Sequence, residues 1–132
     1  MILEKSAMMV DIDGDGIVHF TRYFMWLEEV RERLFNSMNL SLENMHSNGV
    51  TVVVASINST FVLPLKHGDN ILISACVSSI GKHSFTVDYV FNKKSGGEVV
   101  FKARAVYVFV DKENKKPVLV PAFVKFEKCK SD

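Results

Sequence analysis

No apolar run in this chain reaches the roughly eighteen residues needed to cross a bilayer, because charged side chains interrupt each one first. No membrane association is therefore expected. The opening segment MILEKSAMMV sets Glu4 and Lys5 inside what would be the apolar stretch of a signal peptide, so a cytoplasmic location is expected. Cysteine is scarce. Cys76 lies in an apolar, strand-like run and Cys129 in a polar tail, too few and too differently placed for a disulfide scaffold or a zinc site, so two free thiols are expected. Neither sign of charge is in excess: 16 basic against 15 acidic residues leave +1, which offers no overall field for nucleic acid. An anionic ligand would have to be held locally. Also absent are a glycine-rich phosphate loop, a G-x-S-x-G nucleophile elbow and a spaced His/Cys metal set, which removes most competing enzyme classes.

What is present is an ordinary globular composition in 132 residues, 48% hydrophobic and 23% charged, the size of one domain spanning 1–132. From Phe20 to Met38 the residues Phe20, Tyr23, Phe24, Leu27, Val30, Leu34 and Met38 recur at helical spacing, with Glu29, Glu32, Arg33 and Asn36 on the opposite side. Trp26 and Met25 widen the apolar stripe beyond what one small sheet needs to cover, which points to a second surface such as a dimer interface. After Gly49 the pattern changes to strands: Val50 to Leu63, Asn70 to Ile80, then Phe85, Val87, Tyr89 and Phe91 alternating with polar residues. Gly96 and Gly97 supply a hairpin turn, a long strand from Glu98 to Val110 follows, and a last short strand is expected at Val118 to Val120. One long helix followed by hairpin-linked strands implies an α+β domain with an antiparallel sheet covering the helix.

The densest functional cluster is VDIDGDGIVHF, residues 10–20. Its D-x-D-x-D-G core imitates the start of a calcium loop, but the twelfth position from Asp11, where such a loop needs a bidentate glutamate, is Arg22. The helix that should precede the loop has only ten residues to form in, so no metal is assigned. Three carboxylates just before a helix suit its positive N-terminus, and Asp15, Gly14 and Gly16 suit a turn. On that reading they cap and solubilise.

The order Asp11, Asp13, Gly16, Val18, Tyr23 resembles the D-x-D-x-x-G-x-V motif and aromatic-rich helix of the 4-hydroxybenzoyl-CoA thioesterase family. The likeness continues through Trp26, Leu27 and Glu28-x-x-Arg31, then Pro64 with Gly68-Asp69, then the final hairpin from Gly96 to Pro121, and so covers nearly the whole chain. The resemblance implies a hot-dog fold, one long central helix wrapped by a curved antiparallel sheet, and hydrolysis of an acyl-CoA or acyl-carrier-protein thioester without a cofactor. It implies Asp13 as nucleophile or general base and the backbone amide of Phe20 as oxyanion donor, with Gly16, Val18, Tyr23 and Phe24 at the substrate. It also implies a homodimer whose sheets join, or a homotetramer built from two of them.

Each assignment has a structural counterpart. His19 could assist by hydrogen bonding to substrate or Asp13, or could simply cap the helix. The Phe20 side chain could line an acyl pocket or pack in the core. Arg22 departs from the family's small or polar residue and could meet an anionic acyl group or lie along the helix surface. Arg31 is expected to pair with Glu28. Lys66, His67, Lys82 and His83 are candidate phosphate partners or solvated turn residues. A noncatalytic hot-dog module that binds acyl thioesters is the alternative from another class; it would need no carboxylate at position 13.

Overall fold

The computed structural model describes residues 1–130. The elements are β1 (Ile2–Ser6), a single 3-10 turn (Met9–Asp11), α1 (Phe20–Ser37), α2 (Leu42–Ser47), β2 (Val50–Phe61), β3 (Asn70–Ile80), β4 (Ser84–Lys93) and β5 (Val99–Asp111). The strands form one sheet in the order β1-β3-β4-β5-β2, every neighbouring pair antiparallel. Period-two alternation sends Ile71, Ile73, Ala75 and Val77 of β3, Phe85, Val87, Tyr89 and Phe91 of β4, and Phe101, Ala105, Tyr107 and Phe109 of β5 inward. The buried face of α1, Tyr23, Leu27, Val30 and Leu34, lies against that surface. Register shifts at Val54/Ser56 and Val77/Ser79 interrupt the ladders, and such bulges increase local twist and bend, which lets the sheet curve around α1. This is the hot-dog arrangement, α+β in class. Within the core the Tyr89 and Tyr107 hydroxyls lie 2.7 Å apart and satisfy one another, and burial pushes the pKa of both phenols up.

Several expectations change. Trp26 is 5% exposed and belongs to this chain's own core, so it does not call for a second covering surface. Exposed apolar side chains gather instead on β2, an edge strand, at Val53, Val54, Ile57 and Phe61. Phe20, counted in the helical stripe, is 60% exposed, because it begins the helix and its ring stacks on His19 at 4.9 Å. Residues 118–120 form no strand: Pro117 makes a single bridge to Val110, and Pro117 and Pro121 lack the N–H groups a longer ladder requires. β1 and α2 were not foreseen.

The two cysteines are joined, which corrects the expectation of free thiols. The tail returns along β3, where Val77 N–H donates to Glu127 O and Cys129 N–H to Val77 O, bringing Cys129 to Cys76 across 53 residues of sequence. Sequence distance concealed this, since both cysteines are set by a long-range return of the chain. The same tail packs Phe126 on Phe85 and donates Lys125 N–H to Met38 O at the end of α1.

Candidate functional site

The acidic loop is built as a tight reversal. Asp13 N–H donates to Ile17 O, Ile12 bridges Val18, and Gly16 takes a φ of 81°, a left-handed conformation that costs glycine least. One oxygen of the Asp13 carboxylate accepts from the Asp15 N–H at 2.8 Å and from the Ile17 N–H at 3.4 Å. Both bonds use Oδ1, which fixes the half-buried carboxylate on its own turn. Among the described residues no hydrogen bond involves Oδ2.

A second segment holds the loop from the side. Val18 N–H donates to Leu65 O and Ile17 bridges Lys66, while Asp69 caps the turn by accepting from the Lys66 N–H at 2.8 Å. Pro64 and Gly68-Asp69 therefore belong to the turn that braces the acidic loop. Lys66 serves this bracing through its backbone, and the structure brings neither Lys82 nor His83 to the acidic loop; their backbones pair instead with Val120 and Phe109.

The loop then delivers the chain into α1. His19 is the N-cap: its Nδ1 accepts from the Thr21 N–H at 3.3 Å and lies 2.7 Å from the Thr21 hydroxyl. This is the capping role. The Phe20 N–H, at the first helical position, makes no hydrogen bond among the described residues, as first-turn amides generally do not. Val18 and Tyr23 are buried, with Tyr23 in edge contact with Phe61 at 5.1 Å and tilted against Phe101 at 5.2 Å. Burial pushes the Tyr23 pKa up, partly offset by its hydrogen bond to the Leu65 backbone. Phe24 is half-buried and also meets Phe61 and Phe101. Asp13, Gly16, His19 and the Phe20 amide thus share one loop and helix start, whereas Val18 and Tyr23 form the floor beneath it.

Sequence reasoning missed two residues here. Phe61, 47% exposed at the end of β2, completes the aromatic wall. Asp11, taken for a solvated loop acid, is only 6% exposed and is held by the Met8 N–H at 2.8 Å and by Arg22 at 3.5 Å. A signal was available: Arg22 is a cation in the first turn of a helix, where the dipole opposes it, so it needs a specific anionic partner. Arg31 pairs with Glu28 at 2.7 Å as expected. Size alone would not locate the site, because a groove of about 700 Å³ runs beside α1 past Trp26, Glu29 and Phe35 and does not include Asp13.

The family model described as the Thioesterase-like superfamily matches residues 9–126, from the acidic loop to the C-terminal tail. The chain belongs to this superfamily. Thioester hydrolysis is the activity class that it shares with its relatives. Over 121 residues it is 27% identical to a 1,4-dihydroxy-2-naphthoyl-CoA hydrolase of Synechocystis sp., covering 89% of this chain and 86% of that one. Over 128 residues it is 27% identical to the 4-hydroxybenzoyl-CoA thioesterase of a Pseudomonas species, covering 91% of each. Among solved structures it is similar in fold to a 1,4-dihydroxy-2-naphthoyl-CoA thioesterase from Synechocystis, with a TM-score of 0.82, 24% identity, and coverage of 92% of this chain and 90% of that one. No helix among the described residues is long and apolar enough to cross a membrane.

Proposed function

We propose that this superfamily member hydrolyses acyl-CoA thioesters, with Asp13 as the reacting carboxylate and the Phe20 amide as oxyanion donor. The observation that carries the reading is the pairing, in one short segment, of a carboxylate fixed through Oδ1 alone with an unpaired first-turn amide. Acting as nucleophile, Asp13 adds to the thioester carbonyl, expels the thiolate and leaves an anhydride that water cleaves to acid and regenerated carboxylate. Acting as base, it takes the proton of an attacking water and the thiol leaves with a proton from solvent. In both routes the carbonyl oxygen becomes anionic, and a preorganised N–H in the first helical turn stabilises that charge. His19 supports the chemistry by capping this turn, and Gly16, Phe24 and Phe61 flank the acyl group, with Val18 and Tyr23 supporting them.

Acyl-carrier proteins are assayed beside acyl-CoA to show whether a protein-borne pantetheine is accepted as well. We further propose that the β2 edge pairs with a second copy, giving a homodimer or a tetramer of two dimers, since an edge strand with exposed Val54, Ile57 and Phe61 has both unpaired backbone and apolar surface to cover. The cytoplasm is the proposed compartment.

The experiment is thiol release from aromatic and straight-chain acyl-CoAs and from acyl-carrier proteins, with mass measured by light scattering. Turnover of at least one acyl-CoA by a dimer or tetramer is expected. Binding without turnover on every substrate would replace this reading with the noncatalytic module.

A further inference from the structure

We propose that Asp11 and Arg22 form a positioning clamp that sets the distance between the Asp13 carboxylate and the Phe20 amide, an inference that rests on the function proposed above. Asp11 is the one charged residue buried among the described residues. Burying a carboxylate is costly unless it is paired and hydrogen-bonded, so its presence requires an account that solvation does not give.

Its contacts supply that account. The Asp11 side chain accepts from the Met8 N–H at 2.8 Å and faces the Arg22 Nε at 3.5 Å, while its backbone carbonyl accepts from the His19 N–H at 2.9 Å. Arg22 uses its other arm to donate to the Val10 carbonyl at 3.2 Å. The guanidinium therefore grips two consecutive residues of the incoming chain from the first turn of α1. The Asp11 carbonyl meanwhile ties the same point to His19, directly before Phe20. Asp13 lies two residues from the clamp on one side and the Phe20 amide one residue beyond it on the other. A planar fork suits this task because it serves two acceptors in a fixed geometry, which a lysine ammonium does not. The Arg22 Nη1 also donates to the Met25 sulfur at 3.3 Å, which holds the guanidinium against the helix as well.

Neither residue is given a contact with substrate. The expected signature is thus a loss in turnover with little change in apparent affinity, since only the approach of the reacting groups is disturbed. The test measures kcat and KM with the best acyl-CoA for wild type, Arg22→Met, Arg22→Lys, Asp11→Asn, the Arg22→Met/Asp11→Asn double variant and Asp13→Asn, all at matched folded concentration. Arg22→Met should lower kcat about tenfold with KM within about twofold, given that misplacements of about 1 Å cost up to about 100-fold. Arg22→Lys should fall between Arg22→Met and wild type. The double variant should be no slower than about the slower single, because the pair acts as a unit.

Wild-type kcat in Arg22→Met and Asp11→Asn, or a change confined to KM, would overturn the clamp; the second result would make Arg22 a substrate contact. If Arg22→Met fails to fold, Arg22→Lys and Asp11→Asn decide by the same split. An inactive Asp13→Asn beside fully active clamp variants rejects the clamp alone, whereas a fully active Asp13→Asn rejects the catalytic reading on which it rests.

Discussion

At its N-terminal end α1 emerges from a loop of three carboxylates, flanked by the exposed side chains of Met8, Met9, Val10, Phe20 and Met25. At its C-terminal end the same helix is closed over by the returning tail, which is tied by the Cys76–Cys129 disulfide, by Phe126 on Phe85, and by Glu127 bonded to the Ser37 hydroxyl and the chain's amino terminus. The first end leaves the Phe20 amide and one Asp13 oxygen outside the chain's own hydrogen bonds, whereas at the second the Phe35 and Met38 carbonyls and the Ser37 hydroxyl all have partners within the chain. One end of the helix is thus available for chemistry, and the other for stability.

That division predicts where substitutions act. The largest stability effect should come from the closed end: Cys129→Ser, compared with oxidised wild type, should cost about 4 kcal/mol for a loop of this length, with kcat little changed. Denaturant melts with and without reductant check this, and alkylation of protein taken directly from cells reports whether the pair is oxidised there. Next comes the core between the two ends. Tyr89→Phe alone should cost about 1–3 kcal/mol because it orphans the Tyr107 hydroxyl, while the double change to phenylalanine should be nearly neutral. Equilibrium unfolding of the three variants decides it.

The smallest effect is expected at Glu127. Its hydrogen bonds to the terminal ammonium, and then to Ser37, hold its pKa below the usual carboxylate value. A depressed folded-state pKa gives stability that is present above the unfolded value and lost as pH falls through the folded one. Glu127→Gln should therefore destabilise by less than about 1 kcal/mol at neutral pH, the group being substantially exposed, and the difference should vanish in acid. Melting temperatures of both proteins across pH 2 to 7, a range of about five units, test this sign.

The sequence made the middle of the fold legible because its signals there are local. The stripe from Tyr23 to Met38 and the alternation of Phe85 to Phe91 each report a buried face within a few residues. The ends of the chain were less legible. β1 pairs with β3 some seventy residues away, and Cys129 finds Cys76 only because the tail doubles back, so neither leaves a local trace. The acidic loop was located from its motif, and Asp13, Gly16 and the Phe20 amide do lie in one turn and helix start. What the motif could not say is that its two aspartates are treated oppositely. Asp11 is buried and gripped by Arg22, and Asp13 is left with an oxygen outside the loop's own hydrogen bonds.

The most direct test of the division between the two ends is Asp13→Asn, measured for both turnover and unfolding free energy in one preparation. On the best acyl-CoA kcat/KM should fall by about 100- to 10,000-fold, the range for losing a positioned acid or base. Unfolding free energy should stay within about 0.5 kcal/mol of wild type, as for a change that keeps the side-chain oxygen on its turn. Undiminished turnover in the folded variant, or a loss of activity accompanied by an equal loss of folded protein, would contradict that division.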